Sequence, residues 1–273
     1  MNSGFLSLIY VTGSQAMSKN KRKLLSAERE RLILKALSNG VGSLADLSIQ
    51  LDVSEATVRR DLQSLEEQGK ARRVHGGAVR VHFPRTEPIF TKKATFHAEE
   101  KNHIADLALE FIEDDDSIFL DGGSTVLALA RKLDQKKNLT IVTNSMMAAA
   151  ELMESPHRLI LLGGEFRAIS RTLVGPLTAQ IVNSLNINKA FMGTIGFTVE
   201  DGISTTDPNE AYTKELIMRR AAKVIVLADS SKIGVPSFAT SGRTEDIDVL
   251  ISDGGISEEI VEELTEKEIE VKF

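Results

Sequence analysis

Cysteine is absent from all 273 residues, which excludes a disulfide framework, a thiolate metal site and a cysteine nucleophile and suits a reducing compartment. No run approaches the roughly 18 consecutive apolar residues that a membrane-spanning helix needs. The opening residues, MNSGFLSLIYV, also lack the basic lead-in and small-residue cleavage pattern of a secretory signal. The cytoplasm is therefore the expected location. Residues 1–23 are expected to be a disordered tail, with Met17, ahead of the polar run Ser18 to Lys23, as an alternative start. Three consecutive aspartates, Asp114 to Asp116, have no second cluster of hard oxygen ligands to join them. They are read as a solvated turn rather than a cation site, and no pattern calls for a cofactor.

What the chain does have is enough length for a small module and a larger one, with 42% hydrophobic and 26% charged residues. Its net charge of −6 is unevenly spread. Residues 1–80 hold 13 lysines and arginines against 8 aspartates and glutamates, and the remainder holds 20 against 31. A basic head on an acidic body is the electrostatic footprint of a nucleic-acid-binding module, with DNA contact confined to the head.

Helical spacing divides residues 24–80 into a compact head. Leu32, Ile33, Ala36 and Leu37 fall on one face of a helix starting near Ser26 and ending at Asn39-Gly40. Ser43 caps a second helix running to about Leu51, with Asp46 placed to reach back to the cap. After a turn at Asp52-Val53, Ser54 caps a third helix in which Val58, Leu62 and Leu65 point inward and Gly69 marks the end. Ser54, Glu55, Thr57, Arg59, Arg60 and Gln63 are left near the other face. These are residue types that contact phosphates and base edges, and the third helix follows the second by one short turn, as a recognition helix does. Asp61 is expected to pair with a nearby arginine rather than touch DNA. Lys70 to Arg80 reads as a hairpin turning at Gly76-Gly77, a wing whose Arg72, Arg73 and His75 are further candidates for DNA contact. The competing reading is a plain three-helix bundle with solvated arginines.

Arg29…Ile33…Leu37, the run Ser54 to Leu62 and the trailing Arg73-Val74-His75-Gly76-Gly77-Ala78 resemble the winged helix-turn-helix of the DeoR family of repressors.

Residues 81–96, with Pro84 and Pro88 and no regular period, are the expected linker. From 97 to 273 strands alternate with helices: strands at 117–121, 139–143, 158–162, 189–195, 223–228 and 247–251, with helices between them and a last helix and strand. This predicts an α/β domain with a mostly parallel sheet, whose ligand sits outside the carboxyl ends of the strands. Small polar residues gather at those ends. Asp121, Gly122, Gly123, Ser124 and Thr125 follow the first strand and open a helix, so backbone N–H groups and hydroxyls can cradle a phosphate. Thr143, Asn144 and Ser145 follow the second, Gly163 and Gly164 the third, and Asp229 to Lys232 a later one. Asp201 and Gly202 form a charged turn, and Glu210 and Lys214 share a helical face. Lys214 and Lys232 are suited to neutralise a phosphate, and Asp201 and Asp229 to accept from sugar hydroxyls. For any one of these positions, a strand terminator or a helix cap is the simpler explanation.

In order and spacing these segments resemble the effector domain of the DeoR family, so that the resemblance covers roughly residues 24–253. That domain is similar in fold to ribose-5-phosphate isomerase, which implies a phosphorylated sugar or sugar derivative as effector. In the isomerase a glutamate followed by lysine supplies the base, whereas the best-aligned dipeptide here is Lys214-Glu215, so no catalysis is expected. The resemblance implies a DNA-binding transcriptional regulator, a repressor of carbohydrate-metabolism genes that acts on a double-stranded operator as a homo-oligomer. A sugar-phosphate isomerase built on Asp201, Glu210, Lys214 and Asp229 is the alternative.

Overall fold

The computed structural model describes residues 25–37, 41–68, 70–74, 77–80 and 87–273. The expected tail, the helix-ending Asn39-Gly40 and Gly69, and the wing-tip residues His75 and Gly76 lie outside that set.

In the head, three helices form where the apolar spacing puts them: α1 (Ser26–Leu37), α2 (Leu44–Leu51) and α3 (Glu55–Glu67). Ser43 caps α2, its Oγ accepting from the Asp46 N–H at 3.0 Å and donating to Asp46 Oδ2 at 2.6 Å. Asp52, at φ 54°, turns the chain, and Ser54 Oγ then accepts from the Thr57 N–H to start α3. Val58, Leu62 and Leu65 are sealed against Ile33, Leu37 and Leu47. The hairpin β2 (Ala71–Val74) and β3 (Gly77–Arg80) forms as expected. A third strand, β1 (Val41–Ser43), joins β3 antiparallel. At three residues, β1 is too short to carry a readable alternation.

The expected linker is not irregular throughout. Phe90–Thr95 forms a short helix, α4, because the Phe90 ring is buried at 3% exposure in the core of the large domain. Beyond it, α5 (Ala98–Glu110), β4 (Ser117–Leu120), α6 (Ser124–Ala130), β5 (Thr140–Thr143), α7 (Met146–Leu152) and β6 (Arg158–Leu161) follow the anticipated alternation. A hairpin not marked by the sequence pattern, β7 (Glu165–Arg167) and β8 (Thr172–Val174), comes next. Then come α8 (Pro176–Val182), β9 (Ile187–Gly193), β10 (Gly196–Thr198), β11 (Gly202–Thr205), α9 (Pro208–Met218), β12 (Ala221–Leu227), β13 (Ala239–Gly242), β14 (Val249–Ile251), α10 (Glu258–Glu266) and β15 (Glu270–Lys272).

Seven strands make one parallel sheet in the order β15-β14-β12-β9-β4-β5-β6. Along β12 successive side chains alternate between the two cores: Ile225 and Leu227 pack with Ile104, Leu127 and Phe191, while Val224 and Val226 pack with Phe119, Ile217 and Leu264. β10, β11 and β13 form a small antiparallel sheet beside it. From β4 the chain steps one way to β5 and β6, then returns to the other side of β4 at β9 and steps on through β12. The β4/β9 boundary is therefore a switch point, where a crevice opens at the strand ends. Among the described residues no helix is long and apolar enough to cross a membrane.

Candidate functional site

The head presents the face that its apolar spacing left over. Glu55, Arg59, Arg60 and Gln63 are exposed and Thr57 is half-buried, while Val58 and Leu62 are fully enclosed. Ser54 and Thr57 hydroxyls lie 2.9 Å apart at the start of α3, and Gln63 Nε2 donates to Glu67 Oε1 at 3.1 Å. Asp61 does not belong to this face. It is buried, and Arg29 donates to both its oxygens, from Nε at 2.8 Å and from Nη2 at 2.9 Å. That bidentate bond raises the guanidinium pKa further. Arg72 and Arg73 sit in β2, on the wing that follows α3.

In the large domain, a crevice at the switch point is lined by Gly122, Gly123, Ser124 and Thr125 from the end of β4 and by Gly193, Thr194 and Ile195 from the end of β9. Lys93, Ser170, Glu210, Lys214 and Lys232 complete it. Gly122 leaves no room for a side chain, since a Cβ would overlap the Thr172 methyl of β8. The hydroxyls of Ser124 and Thr125, both buried residues, have no hydrogen-bond partner among the described residues.

Lys214 and Asp121, expected to act separately on a ligand, are joined in a buried ion pair. Asp121 Oδ2 also accepts from the Gly193 N–H at 3.0 Å, and Lys214 donates to the Gly193 carbonyl at 2.8 Å. Burial alone would push Lys214 down, but Asp121 and Glu210 hold its ammonium above the usual lysine range. Burial raises Glu210, with Lys214 opposing. Glu210 Oε2 lies 3.0 Å from Arg167 Nη1 without hydrogen-bond geometry. Asp229 is brought down to about 2: burial would raise it, but Lys232 and the Ser231 hydroxyl outweigh that.

Two charged residues of the site carried no sequence signal. Lys93 of α4 reaches the crevice and pairs with Glu87 at 2.5 Å. Arg167 of β7 donates to the other Glu87 oxygen at 2.6 Å and to Ser170 Oγ at 3.0 Å. The Thr206 hydroxyl also donates to Glu87, at 3.0 Å. Burial would raise Glu87, yet Lys93 and Arg167 hold it below the usual carboxylate range. Glu87 lies in the expected linker and Arg167 in the unforeseen hairpin, so both depend on pairings that no local period encodes.

Other expected ligands stand apart from the crevice. Thr143 Oγ1 donates to the Leu120 carbonyl at 2.6 Å, and Ser145 caps α7. Gly163 accepts from Thr178 Oγ1, and Gly164, at φ 154°, lies against Val174 and Thr178. Asn144 is buried with neither amide atom partnered. Asp201 is exposed on the β10–β11 turn, and Gly202 is pressed against Gly242 of β13 and Arg243 just after it. The three aspartates at 114–116 are engaged locally: Asp114 by the Lys137 N–H, Asp115 by Asn138 and Asp116 by Lys189.

Comparison with known proteins matches both parts. Residues 29–83 fit the DeoR-like helix-turn-helix domain, and residues 96–254 fit the DeoR C-terminal sensor domain. The HTH-type transcriptional regulator GlpR of Haloferax volcanii is 38% identical over 88% of this chain and 95% of its own length. GolR of Listeria innocua, another HTH-type transcriptional regulator, is 35% identical over 90% and 98%. The lactose phosphotransferase system repressor of Staphylococcus epidermidis is 37% identical over 74% and 82%. Ribose 5-phosphate isomerase A from Methanocaldococcus jannaschii aligns with half of this chain and 54% of its own, at 19% identity and a TM-score of 0.36, a likeness that says nothing about chemistry. The chain belongs to the DeoR family of transcriptional regulators, carrying that family's DNA-binding and sensor domains in one polypeptide.

Proposed function

We propose that the crevice at the β4/β9 switch point takes the phosphate of a phosphorylated sugar, and that this ligand releases a homo-oligomeric repressor of carbohydrate genes from its operator. The observation that carries the reading is convergence: Lys93, Lys214 and Lys232 line one crevice with Ser124 and Thr125, whose hydroxyls have no partner among the described residues. A lactose-system repressor among the relatives supports the sign of regulation and the sugar. A symmetric oligomer accords with a head type that reads paired half-sites.

Each ammonium is matched by a carboxylate: Lys93 by Glu87, Lys214 by Asp121 and Lys232 by Asp229 at 3.8 Å. A phosphate dianion competes for Lys93 more readily than for Lys214, because the Lys214 pair is sealed in the interior. Weakening the Lys93–Glu87 bond frees a residue of the segment that joins head to body. A ligand shifts operator affinity only by binding the two arrangements differently, and this exchange of partners supplies such a difference. The isomerase reading has less support, since Asp201 lines no part of the crevice.

Thermal unfolding against matched pairs of sugars and sugar phosphates tests this, because a ligand bound only by the native state raises the midpoint. The midpoint should rise with a phosphate but not with its parent sugar. The rise should vanish in Thr125→Val, and the same compound should weaken binding to a duplex selected from a random pool. Equal shifts with unphosphorylated sugars, or no shift with any phosphate, would rule the crevice out.

A further inference from the structure

Between the head and the α/β domain lies a second cavity of about 330 Å³. Glu67, Gln68 and Lys70, from the end of α3 and the residues after it, form its head wall, and His97, Lys101 and Asp229 belong to its body wall. Lys93, Ile195 and Lys232 line both this cavity and the crevice.

Three polar groups in its walls lack partners among the described residues. Lys70 is only 6% exposed, its backbone N–H tied to the Leu65 carbonyl at 2.8 Å, yet its ammonium makes no hydrogen bond or ion pair with any described residue. His97 Nε2 is buried without a partner, and Nδ1 has only Glu100 at 3.4 Å. Gln68 Oε1 is likewise buried and unbonded. Its Nε2 already donates to Glu30 Oε2 at 3.2 Å and Ser64 Oγ at 2.9 Å, so exchanging O and N would forfeit both bonds. Lys101 provides the contrast. It is equally enclosed, but its ammonium donates to the Lys93 carbonyl at 2.6 Å and to the Phe96 carbonyl, as a structural lysine does. Asp229, the acid on this wall, is already engaged by Ser231 and Lys232. Buried polar groups are nearly always satisfied, so two buried atoms without partners, Gln68 Oε1 and His97 Nε2, beside an ammonium with no partner among the described residues call for a ligand that satisfies all three.

We infer that this interdomain cavity is a second binding site, adjoining the crevice, for a small oxyanion bearing hydroxyl groups. Lys70 takes the anionic group, Gln68 Oε1 accepts from a ligand hydroxyl and His97 Nε2 completes the set. Lys70 and Gln68 belong to the head and His97 to the body, so the occupant ties the end of the recognition helix to the α/β domain.

Inorganic phosphate is the probe, added to the full chain while the His97 imidazole signal is followed by NMR, assigned through His97→Gln. Phosphate should move that signal. Lys70→Met should weaken the apparent affinity at least about 10-fold, as expected for loss of a charge-assisted bond, while Lys70→Arg should retain most of it. Lys70→Gln replaces Lys70→Met should the latter fail to fold. Thr125→Val should leave the His97 response intact. A His97 signal that does not move, or that titrates identically without the Lys70 charge, overturns the inference. A response lost in Thr125→Val but not in Lys70→Met would place phosphate in the crevice alone, refuting this site while leaving the proposed function standing.

Discussion

At the scale of single residues, the buried ammonium of Lys70 carries an energetic cost. Burial pushes its ammonium down to about 8, with Asp229 and Glu30 pulling the other way and Lys232 adding to the fall. In the unfolded chain the same group titrates near its ordinary value of 10.5. Between those values the unfolded state holds more protons than the folded one, so stability rises with pH across that window, and below it the penalty is felt in full. Lys101, also lowered to about 8 by burial, acts in the same direction. Lys70→Met should therefore unfold at higher urea than wild type at pH 7 and show a shallower rise in stability from pH 8 to 10.5. An unchanged pH profile would mean that Lys70 is not desolvated. Asp61 was legible as a pairing residue because it sits inside an amphipathic helix, but its partner, Arg29, comes from α1 and not from its own helix. Lys70 looked like one more basic residue of the wing, since its burial is created by a domain that begins some twenty residues later.

Elements show the same division. The three helices of the head could be read from i, i+4, i+7 spacing and from serine caps, and the seven parallel strands from their alternation with helices. The segments that escaped were the three- and four-residue strands β1, β7, β8, β10, β11 and β13, whose stability comes from pairing across the chain rather than from local pattern. The candidate crevice depends on one of them. β8 presses the Thr172 methyl onto Gly122 at the turn between β4 and α6, and Thr172 Oγ1 lies 2.8 Å from Ser170 Oγ on the same hairpin. Gly122→Ala should cost about 1–3 kcal/mol, the usual range for overpacking. Adding Thr172→Ser, which removes the methyl and keeps the hydroxyl, should recover most of it. A double-mutant cycle by chemical denaturation checks this: additive losses would mean that the turn does not rest on β8.

For the whole molecule, the partition of charge matters more than its sum. Residues 1–80, tail and head together, carry a net +5 and the rest of the chain a net −11, so DNA binding should weaken steeply with salt despite an overall charge of −6. If Arg59 and Arg60 each neutralise a phosphate, replacing either with alanine should lower the slope of log Kd against log salt by about 1; an unchanged slope would remove that arginine from the phosphate contacts. The two-domain plan was legible in that charge split, whereas the way the domains meet was not. Val235, from the loop that carries Lys232 into both cavities, is packed in the hydrophobic core of the head with Ile33, Leu34 and Val58. The boundary of the head is thus drawn in space rather than along the chain. Anyone grafting this sensor onto another DNA-binding module would need to transplant the 230–235 loop with the head it completes, or redesign that loop for the new one. A fusion cut cleanly at the linker would leave a hole in one partner and a bare valine on the other.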